Sequence, residues 1–266
     1  RSYWKYALRF SLPLIPEVLS IQIMNQADKL MVTRMIGDIP GSIFAVATTV
    51  SYIIWILEDS VWNAWLPWMY EKIALNEAGE IRGSWSTLMH GFGVISWGLV
   101  LFAPEIILIL GGKKYADAIW LIAPMVTGTL FRFYSYSYTA IQNFHKKTKF
   151  VAISTVSVMF LNVFLNYVGI RAFGYQAAAY TTAFSYLVLM IMQAFMEKRL
   201  TGTQIIPLST TLCISCAYFI TCVVTMAAFR FPFWGRCILA LIAAPIALWY
   251  FLPRLKSIRM LMKKKK

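Results

Sequence analysis

Apolar runs long enough to cross a bilayer recur about eight times along this chain, separated by short clusters of charged or turn-forming residues. The pattern predicts helical spans over 7–36, 43–66, 85–110, 117–143, 148–170, 174–197, 209–230 and 236–252. Charges stand inside several of them, above all Lys29 and Arg132. A charge at the centre of a span costs roughly 2.5–3.5 kcal/mol on insertion scales, so it persists where it faces protein or a wet cavity. The expected fold is an all-α polytopic membrane protein with a polar, cationic interior.

The first predicted span carries a stripe. Gln22, Gln26, Lys29 and Thr33 follow at helical spacing on one face, with Asn25 at its border. Pro13 and Pro16 near its start remove backbone hydrogen bonds and allow a bend, which suits a moving, cavity-lining helix. Asp28 beside the Lys29 ammonium is expected to stay ionised and to orient it. In the second span Glu58 and Asp59 precede an interfacial belt of Trp62, Trp65, Pro67, Trp68 and Tyr70. Adjacent residues diverge by about 100° on a helix, so the two carboxylates should not face the same way. One of them is a candidate for exchanging a proton or Na⁺; the alternative is contact with interfacial water or Lys72. The mixed-charge segment 71–84 reads as a solvated loop.

The third span holds Gly91, Gly93 and Gly98 for close helix packing and ends near Pro104-Glu105. In the fourth, Arg132 lies about fifteen residues in, roughly 22 Å along the axis. A guanidinium fork binds phosphate oxygens bidentately. Neighbouring hydroxyls, Tyr134 and Tyr138 among them, can meet sugar hydroxyls. The alternative is an Arg132 held by backbone carbonyls or by a carboxylate such as Glu58. The candidate cavity set is therefore Lys29, Arg132, Gln22, Asn25, Gln26, Tyr134 and Tyr138, with Glu58, Asp59 and Asp28 as ion-coupling candidates.

Composition agrees with the pattern. Of 266 residues 59% are hydrophobic and 14% charged, with mean hydropathy +0.64. Soluble domains are about 25% charged. The net charge of +14 is mainly a matter of topology. Sixteen of the 25 Lys and Arg fall on one side of the predicted spans, five on the other and four within them. Basic loops stay inside, so both termini are expected to be cytoplasmic, with no nucleic-acid partner. The chain opens on Arg1 with no signal-peptide pattern, and the opening segment reads as an interfacial lead-in, an expectation of a longer polypeptide. Cys213 and Cys216 have C-x-x-C spacing, but neither a second pair nor a His beside them completes a metal site, and His90 and His145 are single. Neither a metal nor a cofactor is expected, and no Asp-x-Asp or His/Asp constellation speaks for an enzyme.

The most specific pattern follows the basic loop 145–149. It reads Asn162-Val-Phe-Leu-Asn166-Tyr-Val-Gly-Ile, then Gly174-Tyr-Gln-Ala177-Ala178-Ala179 and on to Ser185-Tyr186. Gly174, Ala178 and Thr182 read as a small-residue face, and both Asn can bond across helices. With Phe10-Ser-Leu-Pro13, Asn25-Gln26-Ala-Asp28-Lys29 and Trp65-Leu-Pro67-Trp-Met-Tyr70, it resembles the polysaccharide and O-antigen flippases of the multidrug/oligosaccharidyl-lipid/polysaccharide exporter superfamily. Ala177 stands where the family usually has a second Gly, and Gly169-Ile170-Arg171 lacks its common Ile-Pro. The resemblance spans most of 1–200 and implies the six-helix C-terminal lobe of an alternating-access flippase. Residues 201–266 would add two transmembrane helices and a basic cytoplasmic tail. It implies an undecaprenyl-diphosphate-linked oligosaccharide as substrate, moved for surface polysaccharide (lipopolysaccharide, O-antigen) assembly. The partners it implies are membrane lipids, a polysaccharide polymerase and a chain-length regulator. The alternatives are a drug/cation antiporter of the same superfamily, a membrane-embedded transferase or polymerase, and an inactive truncated product lacking the first lobe.

Overall fold

A computed structural model describes residues 14–202, 204–243 and 245. Among them the chain is entirely helical, with no strand. Helices α1 (Leu14–Met35) and α2 (Asp38–Ala74) form the first hairpin. Its hinge is Gly37, whose φ of 128° lies where an L side chain is strained. Then come α3 (Ala78–Leu101), α4 (Ala103–Gly111), a 3₁₀ turn (Lys113–Ala118) and α5 (Ile119–Phe144). They are followed by α6 (Thr148–Phe173), α7 (Ala177–Thr201), α8 (Leu208–Thr225), which continues as a 3₁₀ turn to Arg230, and α9 (Phe233–Ala243).

Four helices are long and apolar enough to cross a membrane: α2, α6, α7 and α8 with its extension; α3 and α4, bent by 63° at their junction, make a fifth if they count as one. The expected third helix thus breaks at Phe102–Pro104, because a proline cannot donate its amide to the preceding turn. Helices α1 and α5 are long enough but too polar. Glu17, Asp28, Lys29 and Arg34 interrupt α1, and Arg132 with a run of Tyr, Ser and Thr interrupts α5. Burial resolves the second case. Helix α5 is the hub, packed most closely on α7 and also on α2, α8 and α3, with most of its side chains out of contact with the surroundings.

Several expectations are corrected. Segment 71–84 is no loop: α2 runs to Ala74, a three-residue turn with Asn76 at φ 57° follows, and α3 begins at Ala78. Lys72 reaches across that turn to Glu77 and, at 2.7 Å, to Glu80, so these charges close a helical hairpin. Pro16 sits in the first turn of α1, where a missing amide breaks no hydrogen bond within the helix. Pro13, the opening Phe10 motif, residues 246–252 of the last predicted span and the basic tail lie outside the described residues. Gly174 is not part of a helix face; it is the left-handed cap (φ 80°) that ends α6 before α7 starts at Ala177.

The pair α8–α9 is packed into the rest of the chain. Helix α8 lies against both α3 and α5, with Trp97 Nε1 donating to Thr225 (2.9 Å) and Tyr138 to Thr211 (2.7 Å). Arg236 is held by Glu105 and by the Leu101 carbonyl. At Gly93 a Cβ would stand 2.4 Å from the Tyr218 ring, whose hydroxyl is tied to His90. Gly93→Leu is therefore expected to lose about 1–3 kcal/mol through overpacking. Gly98→Leu, at a site open around its Cβ, should stay within about 0.5 kcal/mol of wild type. Thermal unfolding of the two purified variants checks this; equal losses would mean α8 does not press on α3.

Candidate functional site

A cavity of about 580 Å³ opens between α1, α2, α5 and α7. From α1 it is lined by Asn25, Gln26, Asp28 and Lys29, from α2 by Thr48, Tyr52 and Trp55, from α5 by Thr129, and from α7 by Thr182 and Tyr186. Two polar networks bound it.

The first centres on Asp28, which is only 5% exposed. The amide of Asn166 donates to its Oδ1 at 2.5 Å and the Thr182 hydroxyl to its Oδ2 at 2.6 Å. Asn166 accepts from the Thr181 hydroxyl and donates to the Asn162 Oδ1 (3.3 Å), and the Asn162 amide nitrogen donates to Thr182 (2.9 Å) and Ser185 (3.4 Å). The cross-helix asparagine bonds thus converge on a buried carboxylate and tie α1 to α6 and α7. Tyr186 donates to Asn25 at 2.9 Å, closing the same wall.

The second network surrounds Arg132, 1% exposed. Its guanidinium meets Glu58 Oε2 at 3.2 Å and Asp59 Oδ1 at 3.4 Å. It also donates to the Tyr136 hydroxyl and stacks on the Trp55 ring, 3.4 Å from the centroid. Trp55 Nε1 and Tyr136 then donate to Asp59 at 2.7 and 3.2 Å. Glu58 and Asp59 do diverge, one fully buried and the other open to the surroundings, yet both engage one cation. The guanidinium is wide enough to sit between them, so two carboxylates that face different ways still meet one cation, and neither lines the cavity.

The expected site residues therefore separate. Asn25, Gln26, Asp28 and Lys29 share the cavity, whereas Gln22 is exposed on α1 outside its lining. Arg132 does not line it, because the Trp55 ring stands between. With two carboxylates on one guanidinium, that end is not cationic. Tyr134 and Tyr138 are buried and point elsewhere, to the Met89 carbonyl on α3 and to Thr211 on α8. Helical geometry explains this: two residues beyond Arg132 is a rotation of about 200°, whereas four returns to its face, where Tyr136 is found. Nor does Asp28 orient Lys29. The carboxylate turns in toward α6 and α7 while Lys29 is exposed, and among the described residues Lys29 makes no ion pair. Sequence reading missed Trp55, Tyr136 and Thr182; only Tyr136 had a signal, its i+4 spacing from Arg132.

Among the described residues no three His, Cys, Asp or Glu come together as a metal site. Cys213 and Cys216 are exposed and Cys222 is buried. Comparison with family models, curated proteins and solved structures finds no match for the chain.

Proposed function

We propose that this chain is a flippase-type membrane transporter that moves a lipid-linked oligosaccharide across the cytoplasmic membrane for surface polysaccharide assembly. In this reading the helices make eight crossings with both termini cytoplasmic, and residues 1–200 form one six-helix lobe working against another. The observation that carries it is the cavity. Its Lys29 ammonium is exposed and among the described residues is not paired with a carboxylate, and Asn25 and Gln26 stand beside it. An uncompensated cation suits a diphosphate, and neighbouring amides suit sugar hydroxyls. The undecaprenyl-diphosphate carrier rests on the sequence resemblance. Glu58, fully buried beside the Arg132 guanidinium, supports the coupling role, since a buried carboxylate can take up a proton during a cycle.

One observation favours a second reading, antiport of an organic cation. Asp28 and the rings of Tyr52, Trp55 and Tyr186 share the same lining, and aromatic faces attract cations. Charge substitution separates the two. In a strain lacking its own flippase, Lys29→Ala is expected to cut surface polysaccharide roughly tenfold, the worth of one charge-assisted contact. Lys29→Arg should keep most of the output. Full polysaccharide from Lys29→Ala would overturn the anionic-substrate reading. Vesicle uptake of an organic cation that disappears on Asp28→Asn would establish the second.

A further inference from the structure

A second buried polar cluster lies away from the cavity, at the end of the bundle where α5 and α7 terminate. Glu197 on α7 is 0% exposed. Its Oε1 accepts the Ile205 amide of the α7–α8 connection at 3.2 Å, while its Oε2 is buried with no partner. One turn earlier on the same face stands Gln193, bonded to Gln142 of α5. Gln142 Nε2 donates to both the Gln193 carbonyl (3.1 Å) and its Oε1 (2.7 Å). Two acceptors identify that atom as the nitrogen, so the free atom of the amide is its oxygen, likewise buried and without a partner.

The cluster is therefore rich in oxygen acceptors and poor in donors. No ion pair reaches Glu197 among the described residues. The charged and titratable groups around it are otherwise engaged. From α3, Arg82 donates to the carbonyls of Gln204 and Ile205. From α5, Tyr138 gives its hydroxyl to Thr211. On α7, Lys198 and Arg199 are exposed. A buried carboxylate with neither a counter-charge nor a full set of donors requires positive charge from elsewhere.

We propose that Glu197, Gln142 and Gln193 form a cation-uptake site, in which the two free oxygens take one proton or one hard monovalent metal ion. A protonated carboxyl would donate to Gln142 Oε1, and a monovalent metal ion would bind both oxygens. Occupation also neutralises the carboxylate that receives the connection to α8. The site thus joins the α5–α7 hub to the last helix pair, independently of any substrate in the cavity.

The test is thermal unfolding of the full chain in detergent, in choline, sodium or potassium chloride at constant ionic strength, at pH 6 and pH 8.5. A metal site gives a saturable rise at pH 8.5, roughly 3–5 °C at ten times the dissociation constant. A proton site gives no metal response but greater stability at pH 6 than at pH 8.5 in choline, because uptake favours the folded state and is lost as pH rises. In either case Glu197→Gln removes the response. Gln142→Met keeps the carboxylate but removes one oxygen, so it weakens the apparent metal affinity about tenfold or moves the pH midpoint downward. Identical metal and pH responses in wild type and Glu197→Gln would overturn the proposal. If Glu197→Gln does not fold, an unshifted metal affinity and pH midpoint in Gln142→Met would overturn it equally.

Discussion

Replacing Arg132 by Met is expected to destabilise the chain by about 3–5 kcal/mol, because it strands Glu58 in a fully buried position without the one cation that pairs with it among the described residues. Asp59, 39% exposed on its side chain and held by Trp55 and Tyr136, suffers less. Most of the loss should be repulsion and desolvation left behind, not missing attraction. Arg132→Met combined with Glu58→Gln should therefore recover at least about 1 kcal/mol over the single variant. Arg132→Lys should fall between, since an ammonium can neither fork between two carboxylates nor lie flat on the Trp55 ring. Denaturant unfolding in micelles measures all three. A loss below about 1 kcal/mol for Arg132→Met would mean that the guanidinium is compensated by solvent and not by the two acids.

At Asp28 the expected effect is nearly as large and arises from hydrogen bonds. Two donors, from Asn166 and Thr182, end on its carboxylate. Asp28→Leu takes the acceptor from one N–H of the buried Asn166 amide, whose other bond goes to Asn162, and from the half-buried Thr182 hydroxyl, a loss of about 1–3 kcal/mol for each. Asp28→Asn keeps one oxygen but turns an NH₂ toward the other donor, so it should cost about half as much. Unfolding measurements on the two variants check the ratio. If leucine proves no worse than asparagine, the network is wetted from the cavity and the carboxylate is not its keystone.

Helix extents were legible where the signal is local. The expected boundary at 148 for α6 coincides with its first residue, and 174–197 for α7 is shifted by only a few residues. The length of α2 was not, because Glu71 and Lys72 look like loop residues until Lys72 is seen bridging the turn to Glu77 and Glu80. In the site, Gln26 and Lys29 of the stripe on α1 line the cavity, while Gln22 and Thr33 of the same stripe do not. The pairing of Asp28 could not be read, since its partners lie 138 and 154 positions away and nothing in a linear pattern joins them. Tyr134 and Tyr138 were drawn in by proximity in sequence, where the 3.6-residue repeat would have selected Tyr136.

The polarity of α1 and α5 also bears on biogenesis. In the eight-crossing arrangement proposed above, neither helix would rest well in lipid by itself, and each depends on neighbours to hide its charge. Helix α5 finds its acids waiting, because α2 is made before it. Helix α1 does not. The residues that take up Asp28 are synthesised at least 138 positions later, on the order of ten seconds of translation. During that interval α1 must linger at the insertion machinery, at the lipid surface or with a chaperone, and the membrane-embedded fold closes only when α6 and α7 arrive.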